Sequence, residues 1–128
     1  MTIAGFYVRC STNETKQDVN NQLKPLRDLA SAMNLEVFKE YIDYASGGDS
    51  NRPQFQQMLE DAKRRKFSII LIWSLDRFSR EGILNTLSYL RTLKDNGVAL
   101  KSLQESWLDT SDEGIGELLI SILSWVAK

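Results

Sequence analysis

Four short segments of the chain have the apolar pattern of β-strands, either alternating or continuous. The third, FSIILIW, is apolar throughout, which is typical of a strand covered on both faces. The predicted strands are Ile3–Val8, Leu35–Tyr41, Phe67–Trp73 and Val98–Leu103.

Helical patterns separate these strands, with apolar residues at every third or fourth position. The first predicted helix covers about residues 17–33, and Pro25 within it favours a helix start or a kink. The second begins at Pro53, the third spans residues 83–93, and the last begins near Asp112. Strands that alternate with helices predict a single α/β domain with a mainly parallel central sheet and helices on both faces.

Composition excludes several kinds of chemistry. The 128 residues include no histidine, so imidazole serves neither as a base nor as a metal ligand. A single cysteine rules out an internal disulfide and a cysteine–histidine zinc site, and no metal or other cofactor is expected. No apolar run approaches the length of a membrane span, and the N-terminus lacks a signal-peptide pattern, which indicates a cytoplasmic protein.

The formal net charge of -1 combines two unlike parts of the chain. Residues 104–127 carry five acidic and no basic side chains, which leaves 15 basic and 12 acidic groups in residues 1–103, a net of +3. The total argues against a surface that is basic throughout, but the chain is a mildly basic body followed by an acidic segment.

Polar and charged residues cluster in the loops after the first three predicted strands, the third of which is SLDRFSRE. In parallel sheets such loops lie together at the carboxyl edge, where ligands bind. Guanidinium groups match phosphate oxygens, and several around one phosphate stabilise the charge of phosphoryl transfer. A serine directly after the first strand would supply a nucleophile. The candidate residues are Arg9, Ser11, Arg52, Asp76, Arg77 and Arg80.

Each of these residues also has an ordinary structural interpretation. A lone loop arginine is most often solvated or salt-bridged, a serine after a strand is commonly a turn or cap residue, and Asp76 suits a helix cap. From the residues alone the sequence therefore predicts a phosphate-binding α/β domain. The chain lacks GxxxxGK and GxGxxG motifs, which disfavours the common nucleotide-binding versions.

Three motifs, in order, resemble the catalytic domain of serine site-specific recombinases, the resolvase/invertase family. They are YVRCST at Tyr7–Thr12, YASGGDSNRPQF at Tyr44–Phe55 and DRFSR at Asp76–Arg80. The resemblance implies cofactor-free strand exchange, in which Ser11 attacks a DNA phosphodiester and leaves a 5′-phosphoserine linkage and a free 3′-hydroxyl. It also implies that the four candidate arginines surround the scissile phosphate and that Asp76 is their acidic partner.

Other positions match that family less closely. Gln22 resembles a family glutamine at the head of the first helix, and Gln17 and Lys63 are further candidates for binding DNA phosphate. Cys10 and Gln54 depart from residues usual in the family, and Cys10 is expected to belong to the core.

The C-terminal segment has an apolar stripe at helical spacing. Its members are Ile115, Leu118, Leu119, Ile122, Leu123 and Val126. In one interpretation, this helix packs against the sheet of the same chain. The resemblance instead implies a catalytic core over residues 1–111, with residues 112–128 starting an oligomerisation helix that continues beyond Lys128 towards a DNA-binding region.

The partners that the resemblance implies are double-stranded DNA and further copies of the chain. We expect a homodimer that pairs into a synaptic homotetramer, and residues 1–128 alone are expected to bind DNA weakly and to recombine nothing. The rival hypotheses are a non-catalytic phosphate- or nucleotide-binding α/β module, with Ser11 as a turn residue, and a hydrolase that releases product instead of religating. A covalent serine–DNA adduct distinguishes the recombinase from the module.

Overall fold

The computed structural model describes residues 2–10, 16–44, 52–79 and 82–105. All pairs of neighbouring strands are parallel, which confirms the predicted α/β class. The elements in chain order are β1 (Ile3–Cys10), α1 (Lys16–Ala32), β2 (Glu36–Tyr44), α2 (Pro53–Lys63), β3 (Ile69–Ile72), α3 (Leu75–Phe78), α4 (Ile83–Asp95) and β4 (Ala99–Ser102).

The strand order β2-β1-β3-β4 creates a topological switch point between β1 and β3. From β1 the chain passes to β2 on one side, and it then returns past β1 to β3 on the other. Loops that leave two such strands diverge, and they open a crevice at the carboxyl edge of the sheet. Arg9 and Cys10 end β1 at this crevice, and Ser74 follows β3 there.

Side chains of β1 alternate between two hydrophobic cores, one on each face of the sheet. The core beneath α1 includes Phe6, Val8, Cys10, Leu23 and Leu26. The core beneath α2, α3 and α4 includes Tyr7, Phe55, Met58, Phe78 and Leu90. Helices therefore cover both faces, as predicted, and the predicted core position of Cys10 is confirmed, since this side chain is fully buried.

The structure decides two details of the element prediction. No helix starts at Pro25, because α1 runs through it from Lys16 to Ala32. Proline removes the N–H that would bond the carbonyl group of Asn21, but Asn21 is exposed, so water can satisfy that carbonyl. The segment after β3, predicted as a loop, contains the single-turn helix α3.

The last predicted helix, from Asp112 onwards, lies outside the described residues together with its apolar stripe. Within the described ranges, no helix combines the length and the apolar character needed to cross a membrane.

Candidate active site

Three of the four predicted arginines converge on α3, at the carboxyl edge of the sheet. Arg9 donates from Nη2 to the carbonyl oxygen of Asp76 at 2.9 Å and from Nε to that of Arg77 at 3.3 Å. Arg77 in turn donates from Nη1 to the carbonyl oxygen of Arg9 at 3.2 Å. Arg52 donates from Nη1 to the carbonyl oxygen of Phe78. These side chains, from β1, α3 and the start of α2, therefore meet as the sequence predicts.

Backbone carbonyl groups explain how such like charges can lie together. The last carbonyls of a helix have no partner within the helix and carry partial negative charge. In α3 those of Asp76, Arg77 and Phe78 accept hydrogen bonds from guanidinium groups. Arg9 and Arg52 are only 4% and 3% exposed, so protein contacts rather than water fix their positions. The arrangement preorganises positive charge at the switch point of the sheet.

The backbone of Arg52 is fixed by the proline that follows it. Pro53 occupies the first helical position of α2, where its missing N–H costs nothing. The α region is disfavoured for a residue before proline, and Arg52, with φ -129° and ψ 81°, lies outside that region. The pair RP in the motif therefore determines where the arginine side chain leaves the backbone.

Asp43, near the end of β2, is a site residue that the sequence analysis missed. The residue is buried, with only 3% of its surface exposed. Oδ1 accepts from the backbone N–H of Gln54 at 2.9 Å, and Oδ2 accepts from that of Phe55 at 2.9 Å and from the Tyr7 hydroxyl at 3.0 Å. Asp43 therefore caps α2 directly beside Arg52. An acidic residue at an inward-facing position of the apolar strand segment YIDY was the signal available in the sequence.

The ionisation of Tyr7 follows from these contacts. Burial raises the pKa of the Tyr7 hydroxyl far above its ordinary value; the Arg52 guanidinium lowers it to a smaller extent, and the Asp43 carboxylate raises it. Tyr7 is therefore a neutral hydrogen-bond donor, and it is not a general base at neutral pH.

Two carboxylates, those of Glu105 and Asp76, hold the start of α3. Glu105, which the sequence analysis also missed, accepts from the backbone N–H of Leu75 at 2.5 Å and so binds the first turn of α3. Asp76 is exposed, and its Oδ1 accepts from the Ser74 hydroxyl at 2.6 Å. Both contacts hold the helix whose carbonyl groups receive the arginines.

The further phosphate-binding candidates, Gln22, Gln17 and Lys63, occupy three different environments. Gln22 is buried on α1 and donates from Nε2 to the Cys10 sulfur at 3.3 Å, one residue before Ser11. Its Oε1 accepts no hydrogen bond within the described part of the chain. Gln17 is exposed on the first turn of α1. Lys63 is exposed at the far end of α2, and its Nζ lies 3.5 Å from Oε1 of Glu60.

Lys63 is therefore not brought together with the arginines. It follows Arg52 by eleven residues, which corresponds to about 16 Å of helix. Ser11 and Arg80 lie outside the described residues. Among the residues that are described, no group of histidine, cysteine, aspartate or glutamate is arranged to hold a metal ion.

Comparison with known proteins adds family information to this geometry. The family model described as the resolvase N-terminal domain matches residues 4–128. A resolvase of Clostridium perfringens is 29% identical over 123 residues, which cover 95% of this chain and 60% of that protein. The transposon Tn1546 resolvase of Enterococcus faecium is 26% identical over 121 residues, covering 94% of this chain and 58% of that protein.

Solved structures agree with these sequence matches. The N-terminal catalytic domain of TP901-1 integrase superposes with a TM-score of 0.85 at 30% identity, covering 98% of this chain and 94% of that one. A resolvase family site-specific recombinase from Streptococcus pneumoniae also has a TM-score of 0.85, at 31% identity, covering 99% of this chain and 86% of that one. The chain spans about 60% of the length of the curated relatives that it matches.

Proposed function

The chain belongs to the resolvase N-terminal domain family, and on that premise we propose that it cleaves and rejoins double-stranded DNA with Ser11 as the nucleophile. One observation carries the proposal: the side chains of Arg9, Arg52 and Arg77 converge near the end of β1. In the sequence, Arg9 precedes Ser11 by two residues. A positively charged, largely buried cluster, with a serine this close in the sequence to one of its members, suits attack on a phosphodiester.

In the proposed cleavage step, the Ser11 oxygen forms a bond to phosphorus as the bond from phosphorus to the 3′-oxygen breaks. The serine hydroxyl loses its proton, and the leaving 3′-oxygen gains one. The product is a 5′-phosphoserine linkage with a free 3′-hydroxyl, and the reverse attack by a 3′-hydroxyl rejoins DNA without ATP. Arginines favour both the serine alkoxide and the extra charge of the transition state.

The catalytic set in this proposal is Ser11 with the four arginines and Asp76. Arg9, Arg52, Arg77 and Arg80 bind the phosphate, and Asp76 orients its neighbours in the DRFSR motif. Gln22 supports the end of β1 from the α1 side, because its amide contacts the residue before Ser11. Arg77 or Arg80 delivers the proton to the leaving oxygen.

The proposed partners follow from the reaction. Strand exchange between two sites needs several active sites held together, so the proposal includes a homodimer and a synaptic homotetramer of the natural full-length protein, with the stripe from Ile115 to Val126 at the interface. It also includes a cytoplasmic location, where the DNA substrate is found.

Trapping of a covalent intermediate tests this function. A duplex selected from a random pool by the natural full-length protein is nicked near its centre, so that cleavage becomes irreversible. We expect a denaturation-resistant protein–DNA adduct with the wild type and with the control Ser31→Ala, whose serine is exposed on α1. Ser11→Ala should give no adduct while retaining DNA binding. An adduct from Ser11→Ala would overturn the assignment, and no adduct from the wild type would favour a non-catalytic module.

A further inference from the structure

The Arg52 guanidinium lies against the face of an aromatic ring. Its Cζ is 3.7 Å from the centre of the Phe55 ring. At that distance the carbon can only lie above the ring, because an in-plane approach would meet the ring atoms first. Tyr7 and Tyr89 each place a ring centre 5.8 Å from the same carbon. Arg52 is therefore enclosed on several sides by aromatic rings, with Phe55 in closest contact.

Phe55 is itself held by neighbouring rings. Its centre is 4.8 Å from that of Tyr89, 5.1 Å from that of Tyr7 and 5.3 Å from that of Phe78, and all three pairs are close to perpendicular. Edge-to-face pairs at these distances are favourable, and each restricts rotation of the ring. Phe55 is also fully buried in the first turn of α2. The surface beneath Arg52 is consequently rigid.

We propose that Phe55 is a positioning residue for the reaction, setting the plane of the Arg52 guanidinium that binds the scissile phosphate. This inference rests on the proposed function, since Arg52 has a phosphate to bind only if the chain acts on DNA. The ring never touches the substrate in this account. It acts through Arg52 alone.

Three independent features together restrict the orientation of the Arg52 guanidinium. Pro53 restricts its backbone, the carbonyl oxygen of Phe78 binds one edge of the guanidinium, and the Phe55 ring covers one face. An unrestrained arginine side chain has high rotamer entropy. Without these restraints, ordering it on the phosphate would reduce the free energy gained from that contact during catalysis. The planar fork also stacks on a ring in a way that a lysine ammonium cannot.

The test compares two identical substitutions on opposite faces of the sheet. Phe55→Leu removes the ring beneath Arg52. Phe6→Leu makes the same change at a fully buried position in the α1-side core, away from Arg52. Single-turnover cleavage of the selected, nicked duplex is measured with the full-length protein, together with DNA affinity and thermal unfolding. The NMR shift of the Arg52 Nε–H group reports whether the guanidinium still lies over a ring.

We expect Phe55→Leu to slow cleavage by about 10- to 100-fold without weakening DNA binding, because a displacement near 1 Å is enough to cost that much. The Arg52 Nε–H resonance should also lose its ring-current shift. Phe6→Leu should cost similar thermal stability, leave that resonance in place and cleave at nearly the wild-type rate. Equal cleavage by the two variants, or an unmoved Arg52 resonance in Phe55→Leu, would overturn the inference.

A second variant covers the case in which Phe55→Leu does not fold. Tyr89 is only half-buried and lies at the edge of the enclosure, so Tyr89→Leu perturbs the core less. It should slow cleavage by about 3- to 10-fold, again with unchanged DNA affinity; an unchanged rate would contradict the inference. Failure of the proposed function can be distinguished from failure of this inference. If the proposed function is wrong, the wild type itself forms no adduct, but the Arg52 resonance still responds to Phe55→Leu.

Discussion

Two buried tyrosines, each paired with a carboxylate, set the local electrostatics of the core beneath α2. Tyr7 donates to Asp43 at 3.0 Å, and Tyr41 donates to Asp61 at 2.7 Å. Both tyrosine side chains are fully buried. In each pair the neutral hydroxyl satisfies a carboxylate that would otherwise be costly to bury.

These pairs predict a loss of stability in alkaline solution. Burial, with the nearby carboxylate, raises the pKa of Tyr41 above its ordinary value of 10.0. The stabilisation is therefore fully present below about pH 10 and is lost as the pH rises towards the folded pKa, because the unfolded chain releases the proton first. We expect the free energy of unfolding in urea to fall as the pH rises above about 10, and to fall less in Tyr41→Phe.

Tyr44→Phe is the matched control for this measurement. Tyr44 lies on the same strand but is 52% exposed. Its substitution should leave the slope of stability against pH as in the wild type. A Tyr41→Phe slope equal to that of Tyr44→Phe would contradict the assignment.

Helix ends at the carboxyl edge of the sheet are held by carboxylates from neighbouring strands or the residues just beyond them. Asp43 of β2 binds the N–H groups of Gln54 and Phe55 at the start of α2, and Glu105, beyond β4, binds that of Leu75 at the start of α3. A negative charge at a helix N-terminus satisfies free N–H groups and complements the helix dipole. The helix that follows Arg52 and the helix that contains Arg77 are therefore anchored by side chains from other parts of the chain.

Asp43→Asn tests this anchoring. The amide keeps one acceptor oxygen but turns its NH2 group towards the backbone N–H of either Gln54 or Phe55, which cannot accept, so we expect a loss of about 1–3 kcal/mol in the free energy of unfolding. Asp28→Asn provides the control, since Asp28 is an exposed partner of Lys24 on α1. That substitution should change stability by less than about 0.5 kcal/mol in the same urea titration. Equal losses would show that Asp43 is not an anchor.

The elements themselves were largely predictable from the sequence, and the exceptions have local causes. Apolar periodicity located all four described strands and the three long helices within a few residues. It could not reveal α3, because four residues are too short for a helical repeat. Pro25 does not interrupt α1, because tertiary packing of Leu23 and Leu26 holds the helix together across it.

At the scale of the whole molecule, parallel strand order explains why distant arginines meet. Once the strands are parallel, residues after β1 and β3 must lie at one edge, so the convergence of Arg9 and Arg77 followed from the sequence. The hydrogen bonds from the guanidinium groups to the α3 carbonyls could not be predicted, because they depend on side-chain conformations that apolar periodicity does not encode. Glu105 was missed for the same reason, whereas Asp43 had a signal in the sequence as an acidic residue within an apolar strand segment. Lys63 was a candidate through the family resemblance, but it lies at the far end of α2, away from the arginines.

A covalent bond between Ser11 and DNA is the central claim, and peptide mass spectrometry of the trapped adduct tests it most directly. Trypsin cleaves after Arg9 and Lys16 and releases the peptide CSTNETK, which contains Ser11, Thr12 and Thr15. After nuclease digestion of the adduct, fragmentation of this peptide assigns the attached 5′-nucleotide to one hydroxyl. The account predicts that the nucleotide is on Ser11. Attachment to Thr12, to Thr15 or to any other peptide would contradict it.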